Sequence, residues 1–296
     1  RLERMKQRIS NYNVFTWAND FFDQTNEIKM KQKELEIRVM NVSVSMGIIS
    51  EYTHSQHRFF FLDYDGTLVS FTKYPEQAII SPTTLDILKN LAASPQNHIV
   101  IISGRDRNFL DQQFAGTPVT LVAEHGYFIK PNGGEWEEQV HTDTNWKSSV
   151  MPILEEYVSR CNGTFIEEKT GSVAWHYRNA DSDFAQLRLN ELRDDLSEII
   201  RQKTEFEILE GNKVLEIKSG RYDKGQAALT ILHKQPYDFI LAAGDDRTDE
   251  FLFRSLPTTA YTIRVGLNPS VAKYNVTDNT PLLELLGKMG NIRQIF

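Results

Sequence analysis

Phe59-Phe60-Phe61-Leu62-Asp63-Tyr64-Asp65-Gly66-Thr67-Leu68-Val69 is the stretch on which the fold of this 296-residue chain turns. Bulky apolar residues run on without alternation and stop at two aspartates one residue apart. A continuous apolar run reads as a strand covered on both faces. Such strands belong to open α/β sheets, where the ligand crevice lies beyond the C-terminal strand ends. Asp63 and Asp65 are therefore expected at a strand end, with Gly66 letting the backbone turn sharply away. The competing reading is an aspartate pair capping a helix.

The same pattern recurs outward from that stretch, which favours the strand. Apolar runs at 99–102, 119–123 and 239–242 end at Ser103-Gly104-Arg105, Glu124-His125-Gly126 and Gly244-Asp245-Asp246. Residues 82–93 read as a helix, with Ser81 as its cap and Pro82 at its first position. Short apolar strands alternating with helices predict a doubly wound, Rossmann-like parallel sheet. The middle of the chain breaks the rhythm. A helix over 146–160, two short strands about Thr170-Gly171, a helix over 183–203 and a hairpin turning at Gly211-Asn212 predict an inserted α+β cap. The expected organisation is a core in two parts (58–145 and 221–296), the cap at 146–220, and an N-terminal helical segment at 1–57. In that segment Val14, Trp17, Ala18, Phe21 and Phe22 share helical spacing, while 29–38 reads as a charged, solvated helix face.

Composition narrows the function. A net charge of −7 argues against nucleic acid as the main partner. The single cysteine, Cys161, allows no intrachain disulfide and suits a reducing, cytoplasmic setting. No apolar run is long enough to span a membrane, and no secretory signal opens the chain. The chain opens on Arg1 rather than methionine, as a piece of a longer protein would.

In a parallel sheet all strand C-termini share one edge, so Asp63, Asp65, Ser103, Asp245 and Asp246 can converge. Lys224, at the start of an expected helix, adds a cation. Carboxylates with room for a hydrated cation describe a Mg²⁺ site, because Mg²⁺ prefers hard oxygen ligands. A hydroxyl and a lysine beside them suit a phosphoryl group. GxGxxG, GxxxxGK[ST], CxxC, HExxH and GxSxG are all missing, which leaves nucleotide cradles, zinc sites and a serine nucleophile unsupported.

Asp63-Tyr64-Asp65-Gly66-Thr67, Ser103, Lys224 and Gly244-Asp245-Asp246-x-x-Asp249 resemble, in order and context, the four signature motifs of the haloacid dehalogenase (HAD) superfamily. The resemblance implies that Asp63 is the nucleophile, forming an aspartyl-phosphate, and that Asp65 is general acid and then base. Ser103 and Lys224 would hold the phosphoryl oxygens. Mg²⁺ would bind Asp63, the Asp65 carbonyl and Asp245, with Asp246 and Asp249 in support.

The expected cap strands carry many polar groups. Alternation sends Val173, Trp175 and Tyr177 one way and Ala174, His176 and Arg178 the other. A solvated, salt-bridged face competes here with a polar ceiling over a hydroxyl-rich ligand. Ala123-Glu124-His125-Gly126, Glu167-x-Lys169, Trp175-His176-Tyr177-Arg178 and Lys213-Val214-Leu215-Glu216-Ile217 look like trehalose-6-phosphate phosphatases, a resemblance covering about 58–296. By that resemblance Glu167, Lys169 and Glu216 bind sugar hydroxyls, joined by His176, Arg178 and Lys213, with Glu124 and His125 at the cap–core mouth. Ser219-Gly220 departs from the family where a proline-containing linker is expected. Arg4-Met5 and the run from Tyr12 to Phe21 resemble the closing helices of trehalose-6-phosphate synthase. The chain is therefore expected to derive from a two-domain synthase–phosphatase. Its expected activity is Mg²⁺-dependent hydrolysis of trehalose 6-phosphate. The alternatives are a phosphatase for sucrose phosphate or a hexose phosphate, or a silent sugar-phosphate-binding subunit that regulates a synthase.

Overall fold

The computed structural model describes residues 37–72, 75–140, 144–201, 206–211 and 213–292. The helical expectations at residues 14–22 and 29–36, and Asn212 of the expected turn, lie outside the described residues.

Strand β1 (Arg58–Asp63) is buried at every position. Its alternate side chains feed two different cores, Phe60 and Leu62 on one face and Phe59 and Phe61 on the other. That is why the sequence shows a run rather than an alternation. β1 sits centrally in an eight-stranded sheet of order β12-β11-β10-β1-β2-β3-β4-β5. Its parallel neighbours are β2 (Asn97–Ile102) and β10 (Phe239–Gly244), with Asp63 opposite Ile102 and Leu62 opposite Ala243. The parallel set is completed by β3 (Thr120–Ala123), β11 (Tyr261–Val265) and β12 (Tyr274–Val276). Two short antiparallel strands, β4 (Phe128–Lys130) and β5 (Glu137–Glu138), were not expected from the sequence. At three and two residues they are too short to show periodicity.

One sheet face is covered by α1 (Val42–His54), α2 (Pro82–Ala92), α3 (Arg107–Gln113) and α8 (Asn279–Gly290). The other is covered by α6 (Lys224–Leu232) and α7 (Arg247–Ser255). Ser81 caps α2 as expected, its hydroxyl accepting from the Thr84 amide, a contact worth about 1 kcal/mol. Within the expected N-terminal segment, α1 buries Ile48 and Tyr52 in the main core. Just before α1, residues 38–40 lie along the sheet edge, where Val39 bridges Asn275.

The insertion folds as a four-stranded antiparallel sheet, β6 (Phe165–Glu168), β7 (Ser172–His176), β9 (Val214–Ser219) and β8 (Phe206–Gly211) in that spatial order. Helices α4 (Lys147–Arg160) and α5 (Ser182–Arg201) share a core with it. Val173, Trp175 and Tyr177 point into this core with Leu215 and Ile217, so the alternation read from the sequence holds. The opposite face carries Glu167, His176 and Glu216 towards the main sheet. The doubly wound sheet and its α+β cap are thus present as expected. Among the described residues no helix is long and apolar enough to cross a membrane.

Candidate active site

The strand ends meet the polar cap face across one cleft. From the core, Asp63, Asp65, Ser103, Lys224, Asp245 and Asp246 line it. From the mouth and cap come His125, Glu167, Lys169, His176, Arg178 and Glu216.

Asp63, the last residue of β1, is 4% exposed. Lys224 opens α6 after Asp223, whose side chain caps the helix on the Gln226 amide. The Lys224 ammonium donates to Asp63 Oδ1 at 2.6 Å and to Asp249 Oδ1 at 2.7 Å. Burial opposes its charge, yet the Asp249 and Asp63 carboxylates outweigh burial and hold the ammonium above the ordinary lysine range. Burial pushes the Asp63 carboxyl up to about 7 although Lys224 pulls the other way. Burial, with the charges of Asp63, Asp249 and Asp246, takes Asp245 up to about 10. One lysine therefore faces more negative charge than it can neutralise.

Carboxylate oxygens of Asp63, Asp245 and Asp249 lie within 4.8 Å of one another. Asp245 Oδ1 is buried with no hydrogen-bond partner. A crowded acidic set with an orphaned oxygen fits a divalent cation that takes hard oxygen ligands. Asp249 is the exception within the set. Its Oδ1 is held by Lys224, and its Oδ2 accepts from the Asp245 and Asp246 amides at 2.9 Å each. It completes a capping box on α7 with Asp246, so it braces this loop, and Asp63 and Asp245 are the carboxylates with oxygens left that could hold an ion. Gly66 turns at φ 80°, a left-handed value that glycine adopts without a Cβ penalty, and a Cβ there would sit 2.3 Å from the Asp245 carboxyl carbon.

Asp65 is paired with a residue absent from the sequence-based site. Arg105 reaches it in fork geometry, Nε to Oδ2 at 2.7 Å and Nη2 to Oδ1 at 2.5 Å. The signal was available, since Arg105 lies two residues past Ser103 at the same strand end. The Ser103 hydroxyl accepts from the Arg105 amide at 3.1 Å.

On the cap, Glu216 is 6% exposed and accepts from Ser172 Oγ at 2.5 Å and Lys169 Nζ at 3.3 Å. Its other oxygen lies 3.0 Å from His125 Nε2, which bridges core and cap. Burial favours the neutral acid, but Lys169 and His125 overcome it and keep Glu216 well below the usual carboxylate range. Glu167 is likewise held low against burial by Lys169 and by His176, whose Nε2 stands 2.7 Å from Glu167 Oε2. Ser172 is a second residue that the sequence reading missed.

Two residues of the expected substrate site, Glu124 of the cap–core mouth and Lys213, lie outside the cleft lining. Glu124 is 2% exposed, and its carboxylate accepts the Gly171 amide at 3.0 Å rather than lining the cleft. A strand-end residue was expected to face the crevice, but here φ is 48° and the side chain turns under the cap. Lys213 occupies the β8–β9 turn at φ 65°, with its ammonium 5.8 Å from the Tyr177 ring centroid and outside the cleft lining.

The sequence profile of the family described as Trehalose-phosphatase matches residues 61–281. The chain belongs to the trehalose-phosphatase family. It is 38% identical over 98% of its length to the bifunctional trehalose-6-phosphate synthase/phosphatase of Thermoproteus tenax, covering 40% of that protein. It is 36% identical over 96% of its length to the trehalose-phosphatase of Schizosaccharomyces pombe, covering 37% of it. The C-terminal domain of the trehalose-6-phosphate phosphatase of C. albicans superposes with a TM-score of 0.81 at 30% identity, over 86% of this chain and 98% of that one. The chain thus spans about two fifths of these curated relatives and nearly all of that phosphatase domain. The family relation bears out the resemblance read from the four core motifs and the cap strings.

Proposed function

We propose that this trehalose-phosphatase family member hydrolyses trehalose 6-phosphate to trehalose and phosphate through an aspartyl-phosphate on Asp63. The observation that carries the reading is the single cleft in which the Asp63–Lys224 pair faces the Lys169–Glu216–Glu167 set of the cap. Phosphate monoesters are among the slowest bonds to break unaided. The reaction needs a nucleophile beside neutralising charge and a proton for the leaving alkoxide.

Asp63 would attack phosphorus as the P–O bond to C6 of the sugar breaks. The leaving oxygen would take the Asp65 proton. Asp65 would then accept a proton from water as that water attacks the phosphorus of the aspartyl-phosphate, releasing phosphate and restoring Asp63. Asp65 must turn from the Arg105 fork to do this. Lys224 and Ser103 would hold phosphoryl oxygens. Asp63, Asp245 and the Asp65 carbonyl would hold Mg²⁺, with Asp246 at the rim, and the ion would supply Lewis-acid neutralisation of the phosphoryl charge. Glu167, Lys169, His176, Arg178, Glu216 and His125 would meet the sugar hydroxyls, since buried polar partners reject ligands that leave them unpaired. A synthase domain on the same polypeptide would supply the substrate, a reading supported by the bifunctional relative and the fraction of it that this chain spans.

The test is phosphate release from trehalose 6-phosphate, sucrose phosphate, hexose phosphates and a small aryl phosphate, with and without Mg²⁺, and with Asp63→Asn as the blank. Preferential, Mg²⁺-dependent release from trehalose 6-phosphate is expected. A better substrate elsewhere in the panel would reassign the sugar. No release from any ester would favour the silent regulatory subunit, and turnover by Asp63→Asn would remove the nucleophile.

A further inference from the structure

We infer that the cap turns on a buried polar pivot at Gly171, clamped from the core side by Glu124 and Tyr222. These two act as positioning residues for the sugar phosphate, an inference that rests on the function proposed above. Gly171 lies in the β6–β7 connection. Its N–H donates to Glu124 Oε2 at 3.0 Å, and its carbonyl accepts from the Tyr222 hydroxyl at 3.0 Å. Glu124 and Tyr222 are each 2% exposed. The Tyr222 ring meets Tyr127 edge-on, with centroids 5.0 Å apart. The clamp is too close for any side chain. A Cβ on Gly171 would lie 2.4 Å from Tyr127 Cδ2 and 2.6 Å from the Tyr222 oxygen.

Each jaw of the clamp is fixed in turn. Glu124 and His125 adopt φ 48° and 59°, left-handed values that cost non-glycine residues about 1–2 kcal/mol each. Residues persist in such conformations only where their surroundings over-determine them. The surroundings here are the carbonyls of Arg105 and Ser103, which accept the Glu124 and His125 amides at 3.0 and 2.8 Å. One run of hydrogen bonds therefore joins the loop beneath the phosphoryl position to the turn of the cap. Tyr222 follows β9 in the return linker, and Lys218 of β9, 1% exposed, donates to the Ser219 and Tyr222 carbonyls and pairs with Glu207 at 2.6 Å. This buried lysine stiffens a linker that contains Ser219-Gly220 and lacks proline.

The pivot also sets the height of the sugar-facing groups. Lys169 and Ser172 flank Gly171, are tied to each other by the Lys169 amide on the Ser172 carbonyl at 3.0 Å, and both bond Glu216. Moving Gly171 by a fraction of an ångström moves all three against the phosphoryl position. A small aryl phosphate never reaches them, so the pivot acts on one substrate and not on the other.

The test compares kcat/KM for trehalose 6-phosphate and p-nitrophenyl phosphate in Tyr222→Phe, Glu124→Ala and Glu124→Gln. Losing one clamp bond is expected to lower the trehalose 6-phosphate value roughly fivefold to tenfold, with the aryl value kept within about twofold. Glu124→Gln should recover most of the loss, because its amide oxygen still accepts from Gly171. Amide hydrogen exchange gives a substrate-free reading, and the Gly171 amide should exchange faster in Glu124→Ala than in the parent or in Glu124→Gln. Equal losses on both esters, no loss on either, or a Gln variant behaving as Ala would overturn the pivot. Should Glu124→Ala fail to fold, the single-hydroxyl deletion Tyr222→Phe carries the comparison. A parent inactive on trehalose 6-phosphate would defeat the proposed function, and unchanged exchange at Gly171 in Glu124→Ala would defeat the pivot separately.

Discussion

Replacing Lys224 by Met should destabilise the protein far more than it disturbs its shape. The ammonium is 2% exposed and lies 2.6 and 2.7 Å from carboxylates that are themselves nearly buried. At an effective dielectric of about 20, each contact is worth about 6 kcal/mol of attraction before desolvation. Desolvation of the three groups offsets much of that, which is why a whole buried pair adds little net stability. Deleting one partner is different, because the remaining charge stays buried and unmatched, at a typical cost of about 3–5 kcal/mol. Here two carboxylates lose their partner at once, but Asp63, already raised to about 7, can take up a proton, so the middle of that range applies. Against a total stability of about 5–15 kcal/mol this is a large share. Urea unfolding in the presence of a chelator would measure it. With a slope of about 3 kcal/mol/M, the midpoint should fall by at least about 1 M. Adding Asp249→Asn to Lys224→Met should return part of the loss, because the asparagine oxygen still accepts from the Asp245 and Asp246 amides while one stranded charge is gone. A loss below about 1 kcal/mol for Lys224→Met, or a double variant worse than the single one, would refute the electrostatic account.

Metal-free stability should fall as pH rises from about 4 to about 10. Asp63 and Asp245 bind protons more tightly folded than at their ordinary value of 3.8, so their contribution is full below that value and is lost as pH climbs through about 7 and about 10. Added Mg²⁺ should stabilise progressively more over the same window, as read from chelator-controlled thermal melts. On the acid side Glu216 and Glu167 act in the opposite sense, giving stability present above 4.5 and lost as pH falls further. In Glu216→Gln that acid limb should flatten in urea melts taken from about pH 5 downward. Gly66→Ala should weaken Mg²⁺ binding by titration calorimetry, because the new methyl meets the Asp245 carboxyl at 2.3 Å and φ is 80°. Glu167→Ala should reduce hydrolysis of trehalose 6-phosphate well beyond that of p-nitrophenyl phosphate, and equal losses would remove its sugar-binding role.

The strand ends were legible because burial on both sheet faces leaves an unbroken apolar run, and the run stops where the backbone leaves the sheet. Asp63, Ser103 and Asp245 could be placed on that ground alone. The cap alternation was legible for the related reason that one of its faces is packed and the other is polar. What the sequence hides is the partner each side chain selects. Arg105 stands at a strand end already recognised, but its fork on Asp65 depends on the approach of two loops forty residues apart. Glu124 stands at another such end and turns the opposite way, because a left-handed backbone directs it to Gly171. Lys213 is lost from the expected set for the same reason, at φ 65° in a tight turn.

Gly244-Asp245-Asp246-x-x-Asp249 shows how a string of acids overstates a metal site. Three acids within five residues could be taken for three ligands, and the oxygens of two of them do cluster with Asp63. Yet both oxygens of Asp249 are engaged, by one ammonium and two backbone amides. Gly244 belongs to that arrangement, since a Cβ there would lie 2.1 Å from the Asp249 carboxyl carbon. The spacing is that of a helix cap as much as of a ligand set, with Asp246 at the N-cap and Asp249 three residues on. A cap of this kind fixes the first turn of α7 and, through the Asp245 amide, the direction of the one carboxylate left with an orphaned oxygen. The helix terminus is therefore what aims Asp245 at Asp63, and loosening it should misplace the metal before it unfolds the sheet.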